Sequence, residues 1–583
     1  MIVFKNHHSI GITEDYINRV YSGLENIEKE KINYQDAVDL LIDCGELETG
    51  ITDCLSGENG EISASLINLC RLVSINTGKI VCKLWQEKTL SNETVFIRNS
   101  INKIKVMEIP KNIKVNVPEG FVYYGLYPET YIDAANRFYE KYEPDNVICI
   151  GIRSIGTQLS ALVSAQLQIN DCNVQSFTVR LKGHPFSRYL VLSEELEDFV
   201  RDCKQCWFII VDEGPGLSGS TIGGTVNKLL ILGVDSKKIV IFPSWESDGR
   251  NFVSRTAREI WPEFEKFVGE FQHLWIKSGK LENGFNCDIL HEFSAGLWRK
   301  HLLQSEKEYP AVHPHHEKRK YLLRSRGKEN NRILLAKFVG LGNYGKEIVK
   351  RGKILGKSGF SPEIIGYGNG FVIMPFIEGV PMKSHDVDEV FMEFVAEYFA
   401  LINNEFPAEL TATWENMTAM ILQNTTEGLG NDWVEKAQRV IKQFPSSSYQ
   451  HNVVSIDGHV MSHEWIKTEN GFKKVDSLEH WSDQFFIGCQ NIAWDIAGFI
   501  IEFELEEKMK RKLVDHYIRL TNDVDIESRL PFYLTAYCAF RIGYITLANL
   551  SVPDTKEKER FAVLKRKFRE FLKIQLLKND DWK

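Results

Sequence analysis

Apolar positions recur at helical spacing through the first part of the chain. Thr13 is placed as an N-cap, and Ile17, Val20, Leu24 and Ile27 follow on one helix face. Further helices are predicted over 34–41 and 62–72, making residues 1–118 a helical accessory region in which His7 and His8 read as surface residues. From about Val117 the pattern changes to short apolar runs alternating with helical stretches. Strands are predicted at 147–151, 208–211 and 238–242, with helices at 157–167 and 221–232. Strand, helix, strand in this order predicts a doubly wound parallel sheet over 119–300, with ligands at the carboxyl ends of its strands.

Residues 301–330 break both patterns. His313-Pro314-His315-His316 and Arg324-Ser325-Arg326-Gly327-Lys328 are polar and basic, and predict a linker. The three histidines have metal-binding side chains, but a solvated junction is the commoner setting. Beyond it, 331–583 reads as another domain. Ile333 to Phe338 is a strand whose Lys337 faces away from its neighbours, Gly345 to Leu355 is a helix, and Phe371 to Gly379 is a strand running into a hinge. Two short strands joined by a turn follow Val454, and helices at 504–519 and 556–577 close the chain.

With 583 residues the chain exceeds one core, and 43% apolar and 26% charged residues suit a folded protein. A net charge of −9 argues against nucleic acid as partner. No apolar stretch spans a bilayer and the N-terminus lacks a signal-like pattern, so a cytoplasmic protein without membrane contact is expected. The 11 cysteines are scattered, as reduced thiols would be, and the Cys203/Cys206 pair abuts the apolar run Trp207–Val211, which favours a helix end entering a strand over metal chemistry. A homo-oligomer is left open.

The loop after the second strand, Val211-Asp212-Glu213-Gly214-Pro215-Gly216-Leu217-Ser218-Gly219-Ser220-Thr221, opens a helix. Backbone N–H groups at a helix N-terminus hold phosphate, glycines allow close approach, and hydroxyls add donors. Two carboxylates at the strand end suit the hydroxyls of a pentose and the positive charge at its anomeric carbon. Four apolar residues, two acids and a small-residue loop resemble the signature of type I phosphoribosyltransferases, which bind phosphoribosyl pyrophosphate (PRPP). The loop is one residue longer than that family's form, or the acid pair is Glu213-Gly214. The resemblance implies catalytic roles for Asp212 and Glu213, and PRPP contacts from Gly214, Gly216, Ser218, Gly219, Ser220 and Thr221. It further implies a pyrophosphate loop at Gly151-Ile152-Arg153-Ser154-Ile155-Gly156-Thr157, with Arg153, Ser154 and Gly156 as ligands. A mobile flap at 178–189 would carry Arg180 and Lys182, and Trp245 would stack on an acceptor ring or pack in the core.

In the last domain, Lys337 and Glu347 sit ten residues apart on a strand and a helix, and Phe371-Val372-Ile373-Met374-Pro375-Phe376-Ile377-Glu378-Gly379 forms a strand and hinge. With Val454-Ser455-Ile456-Asp457-Gly458-His459-Val460-Met461-Ser462-His463-Glu464 and Val475-Asp476, these resemble the aminoglycoside and choline phosphotransferase-like kinases. The resemblance implies a bilobal kinase-like domain binding ATP through Lys337, Glu347 and Glu378. Asp457 would be the base, Glu464 and Asp476 would hold Mg2+, and Asp495 would brace the catalytic loop. The family's His-Gly-Asp is absent, and the Asp457–Glu464 spacing is two residues longer; alignment backwards from Glu464 puts His459 at the base position.

The expectation is a multidomain α/β and α+β enzyme: PRPP-dependent phosphoribosyl transfer to a small acceptor, coupled to ATP-dependent phosphorylation of a small molecule, with Mg2+. The alternative is a regulatory protein sensing PRPP or nucleotide without turnover.

Overall fold

The computed structural model describes residues 1–3, 8–28, 32–57, 60–216, 218–327, 331–444 and 446–578; His7, Leu217 and Lys328 lie outside them. The N-terminal region is helical, as its spacing predicts. Strand β1 (His8–Ile12) leads into α1 (Thr13–Ile27), followed by α2 (Tyr34–Ser56), α3 (Ser65–Trp85), α4 (Glu93–Lys105) and β2 (Asn112–Asn116), which pairs antiparallel with β1. Thr13 is not the cap: extended Ile12 is, and the Thr13 hydroxyl donates to the Pro110 carbonyl. Helix α2 is far longer than its apolar pattern indicates because its middle buries polar residues, among them Asp43, Glu46, Glu48 and Thr49. A Cβ on Gly45 would lie 2.4 Å from Gln158, so glycine there lets α2 approach the next domain.

That domain comprises α5 (Pro128–Tyr142), β3 (Asn146–Ile152), α6 (Gly156–Ile169), β4 (Asn173–Val179), the hairpin β5 (Lys182–His184) and β6 (Ser187–Tyr189), α7 (Glu194–Asp202), β7 (Trp207–Val211), α8 (Ser220–Ile231), β8 (Ile239–Phe242), α9 (Arg255–Ile260) and β9 (Glu265–Lys266). Strands β4-β3-β7-β8-β9 form a parallel sheet in that order. Alternate residues bury in opposite layers. Cys149, Ile209, Val211 and Phe242 pack with Phe138 of α5 and Leu159 and Leu162 of α6. Ile150, Phe208, Ile210 and Ile241 pack with Val200 of α7 and Val226 and Leu229 of α8. Both faces are covered, which is why these strands read as unbroken apolar runs.

A second, antiparallel sheet follows. After α10 (Lys280–Phe285) come β10 (Cys287–Glu292), α11 (Arg299–Leu302), β11 (Lys320–Ser325), β12 (Ile333–Phe338), α12 (Gly342–Lys357), β13 (Gly366–Gly368) and β14 (Phe371–Pro375). The order is β10-β11-β12-β14-β13. This corrects the expected linker over 301–330 and the expected domain start at 331: β11 lies inside the sheet, with Tyr321 and Leu323 buried, and flanking basic residues hide its alternation. Of the three histidines, His315 is exposed and the other two are not. His313 is buried, with Nε2 3.0 Å from Ser551 Oγ, and the His316 ring stacks on Phe485 at 3.8 Å.

The remainder is mainly helical: β15 (Val380–Pro381), α13 (Glu389–Glu405), α14 (Trp414–Leu429), α15 (Val434–Gln443), β16 (Val453–Val454), β17 (Trp465–Thr468), β18 (Gly471–Lys474), β19 (Gln490–Asn491), α16 (Ala493–Glu502), α17 (Glu507–Thr521), α18 (Ile526–Ser551) and α19 (Thr555–Lys578). One apolar core runs from α1–α4 through one face of the parallel sheet to Phe338 and Phe371 of the antiparallel sheet. Another fills the helical lobe around Trp465, Trp494 and Tyr537. No described helix is long and apolar enough to cross a membrane.

Candidate functional site

Strand β12 is the centre of the antiparallel sheet. Its Leu334, Ala336 and Phe338 enter the core, which turns Leu335 and Lys337 to the other face, into a cleft of about 570 Å3 against the helical lobe. Apolar walls come from Leu335, Met374, Phe376, Ile377 and Ile466; Lys320, Lys337, Glu464, Asp476, Glu479 and His480 line its polar part.

Lys337 Nζ donates to Asp476 Oδ1 and lies 2.5 Å from Glu479 Oε1. Lys320, opposite it on β11, reaches Asp476 Oδ2 at 3.2 Å. Burial pushes the Asp476 carboxyl up, but Lys320 and Lys337 outweigh it and hold the group ionised, well below the usual carboxylate range. Lys337 and Glu347, both expected to bind ATP, are not brought together. Glu347 is exposed and pairs with Lys350, because α12 turns Ile348, Val349 and Arg351 inward instead. Glu378 is exposed just beyond β14.

Asp457 is fully buried. It accepts from the Tyr398 hydroxyl at 2.6 Å, lies 3.3 Å from Lys474 Nζ, and has His480 Nδ1 at 3.6 Å. Burial raises its pKa, yet Lys474, His480 and Tyr398 bring it down to about 2. Asp495, at the start of α16, accepts the main-chain N–H groups of Asp457 (2.6 Å) and Gly458 (2.9 Å), bracing this loop. Arg351 ties the loop to the Asp476 segment by donating to the carbonyls of Ser455 and Ser477. His459, which the resemblance offers as an alternative base, lies against Glu464; its pKa is pushed well down by burial and by His480.

At the carboxyl end of the parallel sheet, the three predicted loops meet but spend many of their polar groups on one another. Asp212 Oδ1 accepts from Glu213 N at 2.8 Å and Oδ2 lies 3.4 Å from Thr221 Oγ1, while Glu213 Oε2 accepts from Gly120 N at 3.0 Å. Burial lifts Asp212 to about 6; burial, then Glu119 and Asp212, lift Glu213 to about 8. A carboxyl that keeps its proton at neutral pH donates a hydrogen bond and does not offset positive charge, which changes the role expected of Glu213. The Ser218 and Ser220 hydroxyls donate to Pro185 O in the β5–β6 hairpin, at 2.9 and 2.6 Å, so the predicted flap lies on the loop. Gly219 N bonds Pro215 O, and Gly216 and Gly219 take positive φ (61° and 64°). Gly214 stands before Pro215, and Lys182 is half-buried in the hairpin.

Arg153 is not free to meet a diphosphate. Its guanidinium is buried against Glu61 (2.7 and 2.8 Å) and Asp53 (2.8 Å), and Arg180 joins the same Asp53. Gly156 serves packing, since a Cβ there would meet Val211 O at 2.9 Å; Ser154 is half-buried beside it. Trp245, past β8, is 50% exposed, so it is not a core residue.

No protein-family model matches the chain, and no curated protein matches it by sequence. Among solved structures, it is similar to choline kinase LicA from Streptococcus pneumoniae at 12% identity and TM-score 0.33, over 51% of this chain and 98% of that one. It is similar to macrolide 2'-phosphotransferase MphH from Brachybacterium faecium at 10% identity and TM-score 0.33, over 49% and 97%. An ethanolamine kinase from Plasmodium vivax aligns at 12% identity and TM-score 0.30, over 44% and 81%.

Two groups of carboxylates near the cleft bear on Mg2+. Asp476, Glu479 and His480 bring ligand atoms within 4.8 Å of one another, and Glu479 Oε2 is a buried oxygen with no hydrogen-bond partner. Burial disfavours charge on His480, but Asp476 and Asp457 hold its pKa up, leaving the two carboxylates as the donors a cation would use. That place fits. The expected pairing of Glu464 with Asp476 does not, because Lys474 Nζ sits 2.9 Å from Glu464 Oε2 and also donates to the Asp476 carbonyl. A divalent ion ~3.5 Å from that ammonium would be repelled by on the order of 10 kcal/mol at an effective dielectric of 20.

Sequence reasoning missed Lys320, Lys474, Glu479 and His480. Glu479 and His480 stand three and four residues after Asp476, a spacing that was legible as an acid–histidine cluster. Lys320 was not legible, because it sat in the apparent linker.

Proposed function

We propose that the cleft between the antiparallel sheet and the helical lobe binds a nucleoside triphosphate and passes its terminal phosphoryl group to a hydroxyl of a small molecule. One observation carries this reading: Lys337, on the central strand, meets Asp476 and Glu479 from the opposite lobe at the polar end of a cleft walled by Met374, Phe376 and Ile377. The apolar walls suit a purine ring. Lys320 and Lys337 face the phosphates and neutralise charge as it shifts toward the leaving oxygen. Mg2+, held by Asp476 and Glu479, would supply further neutralisation there. Asp457, kept ionised, orients the acceptor hydroxyl and takes its proton.

A second reading, nucleotide binding without turnover, is favoured by the full burial of Asp457 behind Lys474 and His480. Calorimetry with ADP and ADP release from ATP across a metabolite library distinguish the two. Acceptor-dependent ADP release supports transfer; binding that Lys337→Met abolishes, with no release, supports sensing; absence of binding defeats both.

For the parallel-sheet domain we propose a phosphorylated pentose of the PRPP kind beside Asp212 and Glu213, with exposed Trp245 stacking on an acceptor ring. The acid pair at a strand's carboxyl end supports this, and Arg153 has no part in it. Calorimetry with PRPP tests it: affinity unchanged in the Asp212→Asn, Glu213→Gln double variant would remove the site.

A further inference from the structure

The geometry points to Lys474 as a built-in cation that takes the place of a divalent metal ion between Asp457 and Glu464. Lys474 ends β18, where Lys473 faces outward and donates to the Gly359 carbonyl, while Lys474 turns inward and is wholly shielded from solvent. Its ammonium touches Glu464 Oε2 at 2.9 Å and Asp457 Oδ2 at 3.3 Å, and donates to the Asp476 main-chain carbonyl. Three oxygens from three segments converging on one point is what an oxygen-seeking cation needs. Here a covalently attached charge meets it.

The placement is fixed from several sides. The Lys474 main-chain N–H donates to Phe360 O, Val475 N donates to Glu464 O, and the β17–β18 pairing sets Lys474 opposite Trp465. The ammonium also lies 5.8 Å from the centre of the Trp465 ring, on a side closed to water. Removing it would leave Asp457 to Tyr398 and His480, and Glu464 to His459, two buried carboxylates without an ammonium between them. Asp476 is different: its side chain faces the cleft, with Lys320 and Lys337 on its oxygens and the unpartnered Glu479 Oε2 nearby. Lys474 is therefore a positioning residue. It orders Asp457 and Glu464 and leaves Glu479 Oε2, beside Lys337, as the oxygen an exchangeable divalent cation would reach from the cleft.

This inference rests on the nucleotide reading of the same cleft for its meaning, but its test does not need a nucleotide. Mn2+ binding to the full chain is followed by electron paramagnetic resonance, alone and with ADP. The wild type is expected to bind at most one Mn2+ per chain in either case. Two Mn2+ per chain, with the broadening of a coupled pair, would overturn the proposal. Lys474→Met is expected to gain one Mn2+ over wild type and to melt at higher temperature with Mn2+ present, and Lys474→Met combined with Glu464→Gln is expected to lose both gains. A folded Lys474→Met chain with no added Mn2+ would also overturn it; if that variant does not fold, the wild-type count decides. Failure of ADP to bind, with the Mn2+ counts as expected, would remove the nucleotide reading and leave the lysine's role standing.

Discussion

Asp457 and Arg153 show how much a residue's meaning depends on what surrounds it. Both stand in motifs that suggest a site, and both are buried in ionic contacts. Asp457 is enclosed by Tyr398, Lys474 and His480, of which His480 lines the cleft. Asp457→Asn keeps the shape and the Tyr398 contact but cannot take a proton. Its expected effect is a loss of roughly 10²–10⁴-fold in turnover, with nucleotide affinity unchanged, read by steady-state kinetics beside calorimetry. Arg153 instead closes a buried network with Glu61 and Asp53, beneath the helical accessory region. Arg153→Met takes the guanidinium from buried Glu61 and leaves Asp53 to Arg180, so it should cost about 3 kcal/mol in urea unfolding. PRPP affinity would change no more than the loss of folded protein accounts for. A variant that bound PRPP tenfold more weakly at full stability would return Arg153 to the ligand site.

At the scale of elements, the clearest dependence is that of α19 on the segment once read as a linker. Arg299, at the start of α11, donates to Glu557 of α19 at 2.7 Å, and the other Glu557 oxygen accepts from Val312 N at 3.1 Å. This buried contact holds in place the helix whose Phe561, Leu564 and Lys567 line one side of the cleft. Glu557→Ala leaves Arg299 buried and unpaired, a change worth about 3–5 kcal/mol. Faster limited proteolysis near residue 555, together with weaker ADP binding, is the expected outcome; unchanged cleavage would show that apolar packing alone seats α19. The strands of the parallel sheet, by contrast, were legible from apolar runs, since both faces are buried and no polar alternation interrupts them. Strand β11 was not, because Lys320, Arg324 and Arg326 dominate the local composition, although Tyr321 and Leu323 are buried between them.

For the whole molecule, α2 is the joint. Its Gly45 packs on Gln158 of α6, and Asp43 and Glu46 reach Asn343 and Tyr344 at the start of α12. Burial raises Asp43 to about 7, against the pull of Arg19 and with a further push from Glu46 and Asp39. A carboxyl whose folded pKa lies above its ordinary 3.8 stabilises the fold fully below about pH 4, and this contribution is lost as pH rises through 7. The loss amounts to at most on the order of 4 kcal/mol. Urea unfolding should therefore show stability falling between pH 5 and pH 7.5, with a shallower fall in Asp43→Asn; an identical slope in the variant would show that Asp43 is ionised throughout.

The linear order of residues was enough for the local structure that apolar spacing dictates: the N-terminal helices, the buried parallel strands, the outward turn of Lys337 on β12, and the acids at 457 and 476. Pairing was beyond it. Whether Lys337 met Glu347 or Asp476, whether Arg153 met a ligand or Glu61, and whether Glu464 held a metal or Lys474 depended on segments many residues apart. A buried charge takes the nearest available opposite charge, and only the folded chain sets which one that is.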